Sequence, residues 1–149
     1  MKLAEWVAES NKIEGILRPP TDLEIQAHEE FLNFPRPTIE LLKAFVGVCQ
    51  PNAVFRDRSG LDVRVGSYYP PAGSHLIPLV LDDILSDAIT GRENAFQIHL
   101  RYESLHPFTD GNGRSGRVLW YWMMQHSPMA DLGFLHAFYY QTLRALQKG

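Results

Sequence analysis

Thiols are nearly absent from this chain: Cys49 is the single cysteine among 149 residues. It cannot close an internal disulfide or build a thiolate metal site, and that suits a reducing compartment, so the cytoplasm is the expected location. Long apolar runs are missing too. No stretch approaches the length that spans a bilayer, and the opening segment MKLAEWVAESNKIEG is punctuated by glutamates, unlike a secretory signal. No membrane partner is expected. Neither sign of charge dominates: 14 Lys and Arg stand against 17 Asp and Glu, a net charge of -3. General attraction to nucleic acid or anionic lipid is therefore excluded, and any basic residue that matters acts locally. Repeats, linkers and low-complexity tracts are lacking, as is a GxxxxGK[ST] phosphate loop. What remains is a chain 45% hydrophobic and 21% charged, the composition of one soluble domain with a real core.

Its apolar spacing is mostly helical. Leu3, Trp6, Val7 and Ile13 fit a short amphipathic helix ended near Gly15. After Pro19-Pro20, Thr21-Asp22-Leu23-Glu24 has the form of a capping box and predicts a helix through about Phe31, while Thr38 predicts another through about Val48. The stretch FRDRSGLDVRVGSYYPPAG differs, because Leu61, Val63 and Val65 alternate with Asp62 and Arg64 between glycines; a short hairpin is expected. From Pro78, Leu81, Ile84, Leu85 and Ala88 return to helical spacing with Gly91 as the stop, and Ala95, Ile98, Tyr102 and Leu105 give a further helix ending before His106-Pro107. VLWYWMM is apolar throughout, which predicts a helix with no solvent face at the centre of the domain, ended by Pro128. Leu135, Phe138, Tyr139, Thr142 and Leu146 lay out a last helix. The sum is a mainly α single domain, a helical bundle with one small β-hairpin.

Between two of these helices lies HPFTDGNGRSGR, residues 106–117. Its Gly111-x-Gly113-x-x-Gly116 superficially matches a dinucleotide fingerprint, but that fingerprint needs a preceding strand and an acidic residue on a second strand about twenty positions on. The residues before Gly111 have helical period, and a tryptophan-rich segment and a proline precede Asp131. A helix, a tight turn and a new helix start near Asn112 or Gly113 fit better. Such a start offers unpaired N–H groups and the positive end of a dipole to an anion. Arg114 and Arg117, three apart, can fork onto phosphate oxygens. Asp110 beside a phosphate site makes sense if Mg²⁺ lies between them. His106 can take a proton from an attacking hydroxyl near neutral pH. Phe108 is assigned to packing. These are the parts of a phosphoryl or nucleotidyl transfer site.

His106-Pro107-Phe108-x-Asp110-Gly111-Asn112-Gly113-Arg114-x-x-Arg117 resembles the HPFx[D/E]GNGRxxR signature of the Fic domain family at every specified position. The resemblance implies a Fic-type helical bundle and transfer of AMP from ATP to a hydroxyl side chain of a target protein. It implies His106 as general base, Asp110 as Mg²⁺ ligand, Asn112 with the Gly111 to Gly113 backbone as phosphate cradle, and Arg114 and Arg117 as clamps on the β- and γ-phosphates. Tyr140 is expected in the base pocket. Leu61, Asp62, Val63, Arg64 and Val65 correspond to the family's target-positioning flap, followed by Tyr68-Tyr69-Pro70-Pro71, with the target bound by β-augmentation.

Ser10-Asn11-Lys12-Ile13-Glu14-Gly15 is similar to the family's inhibitory [S/T]xxxE[G/N] motif. Residues 1–15 are then an inhibitory helix packed on a core of residues 16–149, with Glu14 competing with ATP for Arg117. The resemblance leaves three alternatives open: Glu14-assisted removal of AMP by water, a nucleotide-binding module without turnover, and a donor other than ATP. Self-modification is a further outcome it allows, given six tyrosines. The target and its modified side chain are not readable from these residues.

Overall fold

Two reciprocal caps set the frame of the bundle. In the computed structural model, which describes residues 2–126, Thr21 accepts from the Glu24 N–H while the Glu24 carboxylate accepts from the Thr21 N–H, opening helix α2 (Asp22–Asn33). Asn94 and Gln97 do the same for α5 (Ala95–Leu105). Each box satisfies two N–H groups that a helix start otherwise leaves without partners. Thr38 caps α3 (Ile39–Cys49) through the Leu41 N–H. Helix α4 (Leu76–Thr90) carries Pro78 in its first turn, where no N–H is missed, and stops at Gly91 in the left-handed region. The first helix, α1 (Leu3–Ile13), ends as expected: Gly15 has φ +75°, and the Ile16 N–H reaches back to the Asn11 carbonyl.

Helix α6 (Asn112–Met124) runs through the middle, in contact with α1, α2, α3 and α5. Its Val118 and Leu119 meet Ile98, Tyr102 and Leu105 of α5, Ala27 and Phe31 of α2, Leu42, Phe45 and Val46 of α3, and Ile77, Leu81 and Ile84 of α4 in one core. Trp6 of α1 and Ala95 of α5 pack with Trp120 in a second cluster. The expectation that VLWYWMM has no solvent face holds only in part. Val118, Leu119 and Trp120 are buried, whereas residues 121–124 are half-buried and the helix ends at Met124, short of Pro128. The last expected helix, Leu135 to Leu146, and Tyr140 lie outside the described residues. No described helix is long and apolar enough to cross a membrane.

The hairpin expected at residues 61–65 needs correction. Leu61 and Val63 are half-buried and Asp62 and Arg64 exposed, as the alternation implies, but Val65 is exposed against it, and no β-ladder forms. One isolated antiparallel bridge joins Val65 to Tyr68 through two 2.9 Å hydrogen bonds. Side chains have captured the segment instead. Asp62 accepts from the Gly73 N–H, Arg64 donates to the Gly66 carbonyl, and the Tyr68 hydroxyl donates to the Ser104 carbonyl. Pro70 and Pro71 have no N–H to give a returning strand.

Candidate active site

His106 caps the C-terminus of α5 and is the one non-glycine residue with positive φ among the described residues, at φ 54° and ψ 62°. Pro107 disfavours helical geometry in the residue before it, so the chain must turn here. The left-handed region costs a non-glycine residue about 1–2 kcal/mol, and such strain survives where surroundings enforce it. The ring is fixed as well. Its Nδ1 lies 3.1 Å from the Glu103 carbonyl, which only accepts, so Nδ1 carries the hydrogen and Nε2 keeps its lone pair. Burial lowers the pKa of His106, and the Arg56 charge adds to that; the Glu103 carbonyl, Asp110 and Glu14 oppose the shift without cancelling it. A neutral imidazole with a bare Nε2 is ready to accept a proton at neutral pH.

The loop that follows is held from two sides. The Arg56 N–H donates to the Pro107 carbonyl and the Thr109 N–H to the Val54 carbonyl, both at 2.9 Å. Phe108 packs its ring against Phe55, as its assignment to packing anticipated. Asn112 clasps both the N–H and the carbonyl of Phe108, at 2.9 and 2.8 Å. Its side chain therefore shapes the loop, and only its backbone N–H is left to a cradle at the start of α6. Asp110 is exposed, with Oδ1 accepting from the Gly111 N–H and Oδ2 from Gln50 Nε2.

Gly111 enters α6 at φ +78°, and no side chain caps the helix. The Glu14 carboxylate lies against the first turn: a side-chain carbon built on Gly113 would overlap Glu14 Oε1. A carboxylate thus lies where an uncapped helix start favours an anion. Glu14 is held there by Arg117, which is fully buried and donates through Nη2 to Glu14 Oε1 at 2.7 Å and to the Ser10 carbonyl at 3.0 Å, and through Nε to Ser10 Oγ at 2.8 Å. Ser10 and Glu14, one turn apart, both take part in this contact, whereas Gly15 is exposed and only ends the helix.

Arg114 points elsewhere. It is buried against Glu24 Oε2 at 3.3 Å, the Cys49 carbonyl at 2.7 Å and Gln50 Oε1 at 2.9 Å. The two arginines share a helix end, but α1 holds one, and α2 and α3 hold the other. Sequence reasoning missed three residues here. Glu24 looked fully used as the capping-box acid, yet the same carboxylate takes Arg18 at 2.8 Å and Arg114. Burial pushes its carboxyl up, but hydrogen bonds and charge from Arg18, with Thr21 beside it, bring it down to about 2. Gln50 bridges Asp110 and Arg114, and Arg56 lies buried behind His106. None of the three had a sequence signal, because each acquires its role from partners 50 to 90 positions away.

Among the expected flap residues, Leu61 and Val63 are half-buried and Asp62, Arg64 and Val65 exposed, with Arg64 over the Tyr69 ring. The site thus sets a histidine at the end of one helix across a pinned loop from the uncapped start of the next. A family model described as the Fic/DOC family matches residues 25–124, well over half of the chain and all of this loop, though not α1. The chain belongs to the Fic/DOC family.

Proposed function

We propose that the chain is a protein adenylyltransferase held off by its own N-terminal helix: it moves AMP from ATP to a hydroxyl side chain of a target protein and releases pyrophosphate. One observation carries this reading. The Glu14 carboxylate lies at the uncapped start of α6, bonded to Arg117, and on this reading it occupies the place of a terminal phosphate. In the reaction the target's hydroxyl oxygen attacks the α-phosphorus, the bond from that phosphorus to the pyrophosphate oxygen breaks, and Nε2 of His106 takes the hydroxyl proton. The N–H groups at the start of α6 and the Arg117 guanidinium receive phosphate oxygens once Glu14 has left.

Asp110 fits a magnesium ion that enters with the nucleotide. Its carboxylate is exposed and oriented by Gln50 and the Gly111 N–H, and no described cluster of three or more ligating side chains competes with it. When bound, such an ion neutralises phosphate charge, its other ligands being phosphate oxygens and water. No β-ladder occupies residues 62–64, which leaves that segment to pair with a target strand by β-augmentation.

The test is labelling with α-labelled ATP and magnesium. A hydrogen bond to a charged group is worth about 1.5–3 kcal/mol, so Glu14→Gly is expected to raise transfer tenfold or more over the wild type. His106→Ala in the Glu14→Gly background should abolish labelling and leave nucleotide binding intact. Equal labelling by wild type and Glu14→Gly removes the switch. Labelling that persists in His106→Ala removes His106 as the base, and nucleotide binding without labelling in the Glu14→Gly parent leaves only a nucleotide-binding module.

A further inference from the structure

Arg56 has no place in the chemistry above, yet its side chain is fully buried and bonds the backbone beside His106. It donates through Nε to the Leu61 carbonyl at 2.7 Å, through Nη1 to the carbonyls of Leu105 at 3.0 Å and of His106, and through Nη2 to the Pro71 carbonyl. Its backbone adds a bond from its N–H to the Pro107 carbonyl and one from the Ser74 N–H to its own carbonyl. No carboxylate is among the guanidinium's acceptors. Four carbonyls take that role, two at the end of α5, where helix carbonyls lack intrahelical partners and the dipole is negative. The other two, Leu61 and Pro71, bracket the segment between them.

A buried charge is an expensive way to fill space, and a neutral side chain of the same volume would pack as well. What a planar fork of donors does uniquely is fix several acceptors relative to one another. Gly73 shows how tight the arrangement is: a side-chain carbon there would come within 2.6 Å of the Arg58 carbonyl and 2.7 Å of the Leu61 carbonyl. The His106 carbonyl held by Nη1 belongs to the same peptide unit as Pro107, so this bond maintains the left-handed turn from which the imidazole projects.

We propose that Arg56 is a positioning residue that fastens the base of the 61–71 segment to the backbone of His106, so that the segment receiving the target and the proton acceptor move as one unit. The proposal rests on the transferase reading for its meaning, though the linkage itself is testable without turnover. The charged groups facing His106 are Arg56, Asp110 and Glu14, and with Glu14 replaced by glycine only the first two remain.

Arg56→Lys and Arg56→Gln are made in the Glu14→Gly background. Expected is a kcat for protein labelling at least tenfold lower per folded molecule in both, with the affinity for ATP and magnesium, read by calorimetry, changed less than twofold. Arg56→Gln should also raise the pKa of the His106 imidazole, followed by NMR without nucleotide, because a cation beside it is gone. Arg56→Lys keeps the cation and should not. A residue that merely supports folding would lower the melting temperature and leave kcat per folded molecule unmoved, and that result overturns the proposal.

If the Glu14→Gly parent labels nothing, the transferase reading fails and the Asp62→Ala comparison decides the linkage. If neither Arg56 variant folds, Asp62→Ala decides it. Asp62 is exposed and holds Gly73 at the base of the segment, so its loss should shift the His106 imidazole resonances through Arg56. Unchanged resonances reject the coupling.

Discussion

Gly116 occupies the closest approach of α5 and α6. A side-chain carbon there would lie 2.7 Å from Glu103 Oε1, 3.0 Å from Tyr102 Cδ1 and 3.3 Å from His99 Cε1. All three neighbours are buried, so none can give way cheaply. Gly116→Ala should destabilise the fold by about 1–3 kcal/mol through overpacking. Gly47 is the natural control, since it lies inside α3 with nothing within 4 Å of the same added carbon. There the helix preference of alanine acts alone, and Gly47→Ala should stabilise by about 0.5–1 kcal/mol. Urea melts of both variants check the pair, and equal effects of one sign would contradict the packing drawn here. From sequence these glycines look alike, because a glycine's value is set by what approaches it. Glu24 makes the same point differently. Its bond to Thr21 is local and could be read in advance, whereas its contacts with Arg18 and Arg114 depend on how α2 meets the rest of the bundle.

Helix α1 joins the bundle through few residues. Trp6 and Val7 are buried, with the Trp6 ring edge-on to His28 and Tyr121, and Ser10, Asn11 and Glu14 supply the polar contacts. If Glu14 inhibits by position, anything that undocks α1 should release activity without touching the carboxylate. Trp6→Ala removes a buried side chain whose loss costs about 3–5 kcal/mol. It should therefore raise protein labelling toward the Glu14→Gly level and expose α1 to limited proteolysis. Proteolysis without a gain in labelling would detach inhibition from the docking of this helix.

Elements of this kind were legible because their signals are local: Thr21, Thr38 and Gly91 mark helix ends with chemistry that acts over a few residues. The hairpin was not, since alternation at Leu61, Val63 and Val65 states which side chains turn inward and nothing about whether a partner strand exists. Arg56 and Asp62 fasten only the ends of the segment, at the Leu61 carbonyl and the Gly73 N–H.

Across the whole molecule, the buried polar groups share one dependence on pH. His28 is buried between α1, α2 and α3, its Nδ1 bonded to the Glu24 carbonyl and its ring edge-on to Trp6 and Phe45. Burial, with the charges of Arg114 and Arg117, pushes it down from 6.5 to about 4. His99, buried between α5 and α6, is pushed down to about 3, again by burial and the Arg117 charge. Between pH 6.5 and 4 the unfolded chain protonates both rings while the folded chain leaves both neutral, so acid favours unfolding. Stability is full above pH 6.5 and should fall with a slope of up to about 1.4 kcal/mol per pH unit for each ring. Glu24 extends the decline: its carboxyl is held at about 2 against an ordinary 4.5, so the stability it lends is present above pH 4.5 and lost as pH falls toward 2. His28→Gln keeps a donor for the Glu24 carbonyl but cannot take up a proton. Urea melts at pH 7, 6, 5 and 4 should show a steady loss for the native chain and a shallower slope between pH 6 and 4 for His28→Gln, in which His99 and His106 still contribute. Equal stability of the native chain at pH 7 and pH 5 would mean that these rings are not neutral in the fold, and that burial does not set their charge state.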